Sequence, residues 1–193
     1  MFQDMSKTVI SFVTGNANKL REVNRILSTN PHFEVKAVDF DLPEYQGSPA
    51  YIAEHKCMLA VQQADGPVII EDTCLAFNAY GDLPGPYIKH FLKEMKCDGL
   101  VKMLSAFEDK SAYAMCTFAY CEGPGKEVIL FQGKIDGQIV APRGETTFGW
   151  DPIFQPESYT QTFAEMDGSI KDAISHRGRA LASLSDYLNS ITK

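Results

Sequence analysis

From Thr8 to Val13 the chain is a short run of β-branched and aromatic residues closed by Gly15, which predicts a buried strand. A helix is expected at once: Asn16 can cap it, and Leu20, Val23 and Leu27 recur on one stripe that leaves Lys19, Arg21 and Arg25 off it. Phe33, Val35 and Ala37 alternate as a second strand. Ser48-Pro49 opens a second helix whose Ala53, Cys57, Ala60, Val61 and Ala64 share a face. Pro67 to Ile70 predicts a third strand, ending in Glu71-Asp72. Strands alternating with helices predict an α/β architecture, in which ligands bind at the carboxyl ends of strands.

Beyond the turn Leu83-Pro84-Gly85-Pro86 the periodicity predicts two short helices, Tyr87 to Met95 and Gly99 to Phe107, the second built on Leu100, Met103, Leu104 and Phe107. These read as the start of a second lobe. Ser111 to Cys121 and Val128 to Asp136 are apolar, aromatic-rich runs separated by Gly123-Pro124-Gly125, the pattern of paired antiparallel strands. A final helix carries Leu181, Leu184 and Leu188. No repeat or linker separates independent parts, so residues 1–193 are read as one domain with two lobes.

With 193 residues, 45% of them hydrophobic, the chain can bury a large core. No run of about 20 apolar residues suits a membrane helix, and Met1-Phe2-Gln3-Asp4-Met5-Ser6-Lys7 lacks the apolar centre of a signal peptide, so a cytoplasmic protein without a membrane partner is expected. The five cysteines are scattered without C-x-x-C spacing, which suggests reduced thiols rather than disulfides or zinc. A formal net charge of -7 argues against a nucleic-acid partner, because such proteins gain affinity by neutralising phosphates with Lys and Arg. A small anion remains possible where cations converge.

Several local patterns carry chemistry. Thr14-Gly15-Asn16, between strand and helix, offers backbone N–H groups, room for close approach and a positive helix end, with Lys19 one turn on. Alone it is also an ordinary strand-to-helix turn. Glu44, in Asp41-Leu42-Pro43-Glu44-Tyr45-Gln46-Gly47, and Glu71-Asp72 are carboxylates where loops should converge. Magnesium on a triphosphate takes one or two such groups, although each acid singly reads as a solvated loop residue. Lys56 and Lys89 singly read as surface lysines. Phe148-Gly149-Trp150-Asp151-Pro152 offers stacking faces plus a carboxylate able to accept from a base N–H; a packed aromatic corner is the competing reading. At Ser175-His176-Arg177, Arg177 can donate to a keto oxygen and His176 can donate or accept, while a Ser-His-Asp triad there lacks a Gly-x-Ser-x-Gly elbow.

In order, these motifs closely resemble the inosine-triphosphate pyrophosphatase, or Ham1-like, family over nearly the whole chain, with Glu71-Asp72-Thr73 and Pro84-Gly85-Pro86-Tyr87-Ile88-Lys89 among them. The glutamate loop and Glu-Asp-Thr look like the eukaryotic branch. The resemblance implies a long twisted mixed sheet flanked by helices, two lobes with a central nucleotide-binding cleft, and a homodimer. It implies hydrolysis of the non-canonical purine nucleotides ITP, dITP and XTP to monophosphate and pyrophosphate, cleansing the nucleotide pool, with Mg2+ as cofactor and Mn2+ able to substitute.

Carried onto this sequence, the resemblance gives a substrate site of Thr14, Gly15, Asn16, Ala17, Asn18, Lys19, Lys56, Asp72, Thr73, Lys89, Phe148, Gly149, Trp150, Asp151, Lys171, His176 and Arg177. Glu44, Asp72 and Glu71 would hold the metal, and Asp72, Glu44 and Lys19 would be catalytic. Lys19, Lys56 and Lys171 would neutralise phosphate charge while Asp72 or Glu44 orients or deprotonates a water attacking the α-phosphoryl. Phe148 and Trp150 would stack on the base, with Arg177 and His176 at the 6-keto oxygen. The alternatives are a Maf-like pyrophosphatase of other modified nucleotides and a nucleotide sensor without turnover.

Overall fold

The computed structural model describes residues 7–27, 31–145 and 148–191. Apart from Lys7, the stretch inspected for a signal peptide lies outside them. The described residues form β1 (Thr8–Val13), α1 (Ala17–Leu27), β2 (Phe33–Val38), α2 (Pro49–Ala60), β3 (Val68–Phe77), β4 (Pro84–Gly85), α3 (Ile88–Met103), β5 (Ser111–Cys121), β6 (Val128–Ile139), β7 (Phe154–Pro156), α4 (Gly168–Ile174) and α5 (His176–Ile191). The seven strands make one sheet in the order β2-β1-β3-β5-β6-β7, with β4 paired to β3. It is mixed: β1 runs parallel to β2 and β3, whereas β4 on β3 and β7 on β6 are antiparallel. The α/β expectation holds.

The chain divides into two compact units. One takes the described residues of Met1–Asp72, Thr117–Gln132 and Ala180–Lys193, the other Thr73–Cys116 and Gly133–Arg179. In the first, α2 lays Ala53, Cys57 and Ala60 on Val68 and Ile70 of β3 and on Ala119 and Cys121 of β5. Its small side chains let the helix lie close to the sheet. In the second, Leu75, Phe77, Ile88, Leu100, Ile135, Ile139, Trp150, Phe154 and Phe163 form the core. Burying each of the larger side chains contributes roughly 1.5–3 kcal/mol.

Local capping explains the two helix starts that were expected. Ser48 accepts from the Tyr51 N–H with Pro49 in the first turn, and Asn16 accepts from the Asn18 N–H at 2.9 Å. Elsewhere the boundaries move. β3 does not stop at Ile70 but runs to Phe77, so Glu71 and Asp72 sit inside a strand. Thr73 to Phe77 continue the β-forming run, and the two acids interrupt its polarity without breaking its backbone. The β1–β3 ladder itself ends at Phe12 opposite Ile69, so the acids lie just past it. α2 ends at Ala60, before the last member of its stripe, and Ala37 of β2 is exposed. The two expected helices after the proline turn form one run, broken at Lys96, whose φ of 57° interrupts the helical ladder; the run ends at Met103, short of Phe107. β6 extends beyond Asp136 to Ile139 and pairs there with the short β7, which periodicity did not predict.

Candidate functional site

In the first unit β1 delivers Thr14 into α1. Thr14 Oγ1 accepts from the Asn16 N–H at 3.1 Å, and Asn16 Oδ1 accepts from the N–H groups of Asn18 (2.9 Å) and Lys19 (3.3 Å). Three amides of the loop are thus occupied by the Thr14 and Asn16 side chains, which an anion would have to displace. A side chain at Gly15 would meet nothing within 4 Å, so packing does not demand glycine there; it leaves open room over the turn.

Two lysines and three carboxylates then converge. Lys19 Nζ forms an ion pair with Glu71 and donates to the Glu71 carbonyl at 3.4 Å. Lys56 Nζ donates to Glu44 Oε2 at 2.9 Å and to Asp72 Oδ1 at 3.3 Å. The Glu44 side chain is 52% exposed and that of Asp72 22%. Burial pushes the Asp72 carboxyl above its ordinary value; Lys56 and Lys19 oppose this and Glu71 adds to it. Lys56 moves up despite burial, which pulls it down, because Asp72 and Glu44 outweigh that effect. The lysine therefore keeps its proton, while Asp72 is only partly compensated: its buried Oδ2 has no hydrogen-bond partner.

Among the described residues no group of three or more His, Cys, Asp or Glu forms a metal cage. A divalent cation held by one or two carboxylates, water and substrate oxygens needs no cage. An orphaned buried oxygen on Asp72 beside the open Glu44 carboxylate fits that donor set.

The second unit holds the other candidates. Gly149, at φ +55°, turns the chain so that the Asp151 N–H reaches the Phe148 carbonyl at 3.2 Å and a 3-10 turn begins at Asp151. α4, capped by Asp167, carries Lys171, whose Nζ meets Asp151 Oδ2 at 2.6 Å; the two side chains are 9% and 8% exposed. Sequence reading put Lys171 with the phosphate-holding lysines and left Asp151 open to a base. In the structure the two pair with each other within this second group. Lys171 Nζ also lies 4.6 Å from the Phe148 ring centroid and the Arg177 Cζ 5.5 Å from it, so two cations border that ring. Arg177 donates to Thr73 Oγ1 at 3.1 Å.

The aromatic motif divides. Trp150 is 7% exposed and packs on Phe154, Phe163 and His176, with centroids 5.6, 6.4 and 5.4 Å away. Phe163 in turn stacks on His176 at 5.9 Å. Trp150 and His176 thus build the packed corner, and Phe148 is the half-buried ring of the motif. Ser175 Oγ accepts from the Gly178 N–H at 3.0 Å and so caps α5. Lys89 is exposed on the first turn of α3. A separate hollow of about 740 Å3 in this unit, bordered by Glu108, Asp109, Asp136 and Glu157, has the wrong charge for a polyphosphate and includes none of the expected site residues.

Sequence reading missed α4, Phe163 and the Asp151–Lys171 pairing. Asp167-Gly168-Ser169 carried a usable cap signal for α4, because Asp167 Oδ1 accepts from the Ser169 N–H at 2.8 Å. Nothing local announced the pairing.

A family model described as the Ham1 family matches residues 10–187. A HAM1 protein from Coxiella burnetii is similar at 29% identity, covering 94% of this chain and 98% of that one with a TM-score of 0.83. The Staphylococcus aureus Ham1 protein is similar at 27% identity, covering 95% and 100%, with a TM-score of 0.82. A nucleoside-triphosphatase / dITP/XTP pyrophosphatase from Mycobacterium abscessus is similar at 29% identity, covering 92% and 98%, with a TM-score of 0.72.

Proposed function

The chain belongs to the Ham1 family, and on that premise we propose that it is a nucleoside-triphosphate pyrophosphatase hydrolysing ITP, dITP and XTP to the monophosphate and pyrophosphate. The observation that carries the reading is Asp72, a half-buried carboxylate whose enclosed Oδ2 lacks a hydrogen-bond partner, grouped with Glu44 and Glu71 around Lys56 and Lys19. Such a group gains from a cation and from a ligand that brings one. The Mycobacterium abscessus relative, named for dITP and XTP, supports the substrate class.

In this reading Lys19 and Lys56 contact phosphate oxygens beside the Thr14–Lys19 loop, and Glu71 holds Lys19 in position. Asp72 and Glu44, with Glu71 beside them, would hold magnesium, or manganese in its place, which supplies positive charge to the phosphate oxygens. Asp72 or Glu44 orients a water and takes its proton as the water oxygen bonds to the α-phosphorus. The bond from that phosphorus to the bridging oxygen breaks, and pyrophosphate leaves. Phe148 stacks on the purine and Arg177 donates to the 6-keto oxygen, with Trp150 and His176 backing them. Adenine presents an amino group there, setting donor against donor.

Pyrophosphate release from ITP, XTP, GTP and ATP, with and without magnesium, tests the reading. Magnesium-dependent turnover favouring ITP and XTP is expected, and Arg177→Ala should narrow the gap to ATP by about tenfold or more. Binding without turnover, or no preference for the deaminated purines, overturns it. We extend the same reading to a single folding domain, a homodimer and a cytoplasmic location, which one cooperative unfolding transition, sedimentation mass and cell fractionation respectively test. Among the described residues no helix is long and apolar enough to cross a membrane.

A further inference from the structure

Glu44 lies on a segment without helix or strand, between Phe40 and Ser48, yet its carboxylate meets Lys56 at 2.9 Å. A half-exposed glutamate on such a segment would ordinarily sample many rotamers, so something must hold its backbone. On its N-terminal side Phe40 and Leu42 pack against the core under α2. On its C-terminal side stands a group of three rings. The Tyr45 ring meets Tyr51 edge-on at 6.3 Å and His55 at 5.6 Å, and Tyr51 and His55 stack at 3.8 Å. Tyr51 and His55 are one helical turn apart on α2, and the His55 Nδ1–H donates to the Tyr51 carbonyl at 2.9 Å. Gly47 completes the fit: a Cβ there would come within 2.9 Å of Tyr51 Cδ1.

We infer that Tyr45, seated on the stacked Tyr51–His55 pair, is a positioning residue that clamps the Glu44 segment onto α2 and so holds the Glu44 carboxylate at Lys56. Tyr45 follows Glu44 directly, and Lys56 follows His55 directly, so the clamp and the ion pair are built from neighbouring residues on the same two segments. The clamp does not touch the reacting atoms; it limits where Glu44 can be.

Its catalytic importance rests on the role proposed above for Glu44, but its existence does not. Hydrogen exchange of the Asp41–Gly47 amides in the ligand-free protein therefore comes first. Tyr45→Ala should exchange there about tenfold faster, the scale of losing one or two ring contacts, while α2 keeps its protection. Tyr45→Phe should restore the wild-type rate, because the ring and not the hydroxyl makes the contacts. Gly47→Ala should act like Tyr45→Ala, because its Cβ would displace Tyr51 and its φ of +154° strains any side chain there. In turnover assays Tyr45→Ala should raise the magnesium concentration for half-maximal rate several-fold and leave the ITP-to-ATP ratio unchanged, a split that general destabilisation would not give. Unchanged exchange in both Tyr45→Ala and Gly47→Ala would overturn the clamp. Should the wild-type protein hydrolyse no nucleotide, the proposed function fails and the exchange result still decides the clamp.

Discussion

The acid–lysine group of the first unit and the aromatic–cation group of the second are built on opposite plans. In the first, three carboxylates gather on two lysines: Asp72 is pushed up by burial, keeps an unpartnered oxygen, and shares Lys56 with a Glu44 that is half open to water. In the second, Lys171 and Asp151 bury each other's charge, and Trp150, Phe163 and His176 pack ring on ring. An incompletely satisfied group stores a demand that a bound cation and polyanion can meet. A group fixed by a buried ion pair and by ring-on-ring packing is preorganised and discriminates by shape and hydrogen-bond polarity. Chemistry and selection thus call for different states of the same residue types.

The largest test of that contrast is Asp72→Asn. If Asp72 works through its charge, turnover should fall by about a hundredfold to ten-thousandfold, the range for losing a general base. The fold should not suffer. Because burial raises the Asp72 carboxyl, its charged form is disfavoured in the folded state at neutral pH, and removing the charge relieves that cost. A thermal midpoint equal to or above wild type, beside collapsed turnover, is expected; near-normal turnover would remove Asp72 from the chemistry.

Asp151→Ala should do the reverse. Deleting one partner of a buried pair strands the other, at a cost of about 3–5 kcal/mol. Lys171 would then sit buried beside Phe148 without its carboxylate. Denaturant unfolding should show the midpoint drop, and Asp151→Ala combined with Lys171→Met should recover much of it. If the single variant unfolds like wild type, the pair is not the structural element described.

What was readable beforehand follows the range of each interaction. Asn16 and Ser48 cap helices through contacts two or three residues away, so both helix starts were legible. Glu71-Asp72 was taken for a strand's end because polarity, not backbone propensity, changes there; Thr73 to Phe77 carry the strand on. The Asp151–Lys171 pair spans 20 residues and depends on α4, a helix too short to show a period. The family motifs flagged Phe148 and Trp150 alike, and only packing separated the half-buried ring from the core one. The Tyr45 clamp escaped because Tyr45 lies on a loop ahead of α2 while Tyr51 and His55 lie on the helix, so no local period joins the three rings.

The thiols give the smallest and most local test. Cys57 lies on the buried face of α2 with its Sγ 3.6 Å from the Ala119 carbonyl, and burial pushes it up to about 12. At pH 8 it remains protonated as well as inaccessible, and should not react while the protein is folded. Cys97 is half-buried, raised first by burial and then by Asp98 and Asp151, and its Sγ–H donates to the Gly149 carbonyl at 3.6 Å. A thiol reagent should therefore modify Cys97 first, more slowly than free cysteine, and Cys97→Ser should abolish that phase; unfolding should release all five thiols. Since the Gly149 turn carries Phe148, blocking Cys97 should raise KM for ITP about two- to fivefold, the scale of one weak hydrogen bond. The magnesium requirement proposed for the first unit should not move. A shift in magnesium requirement without a change in KM would mean that the two groups do not divide the work as their construction implies.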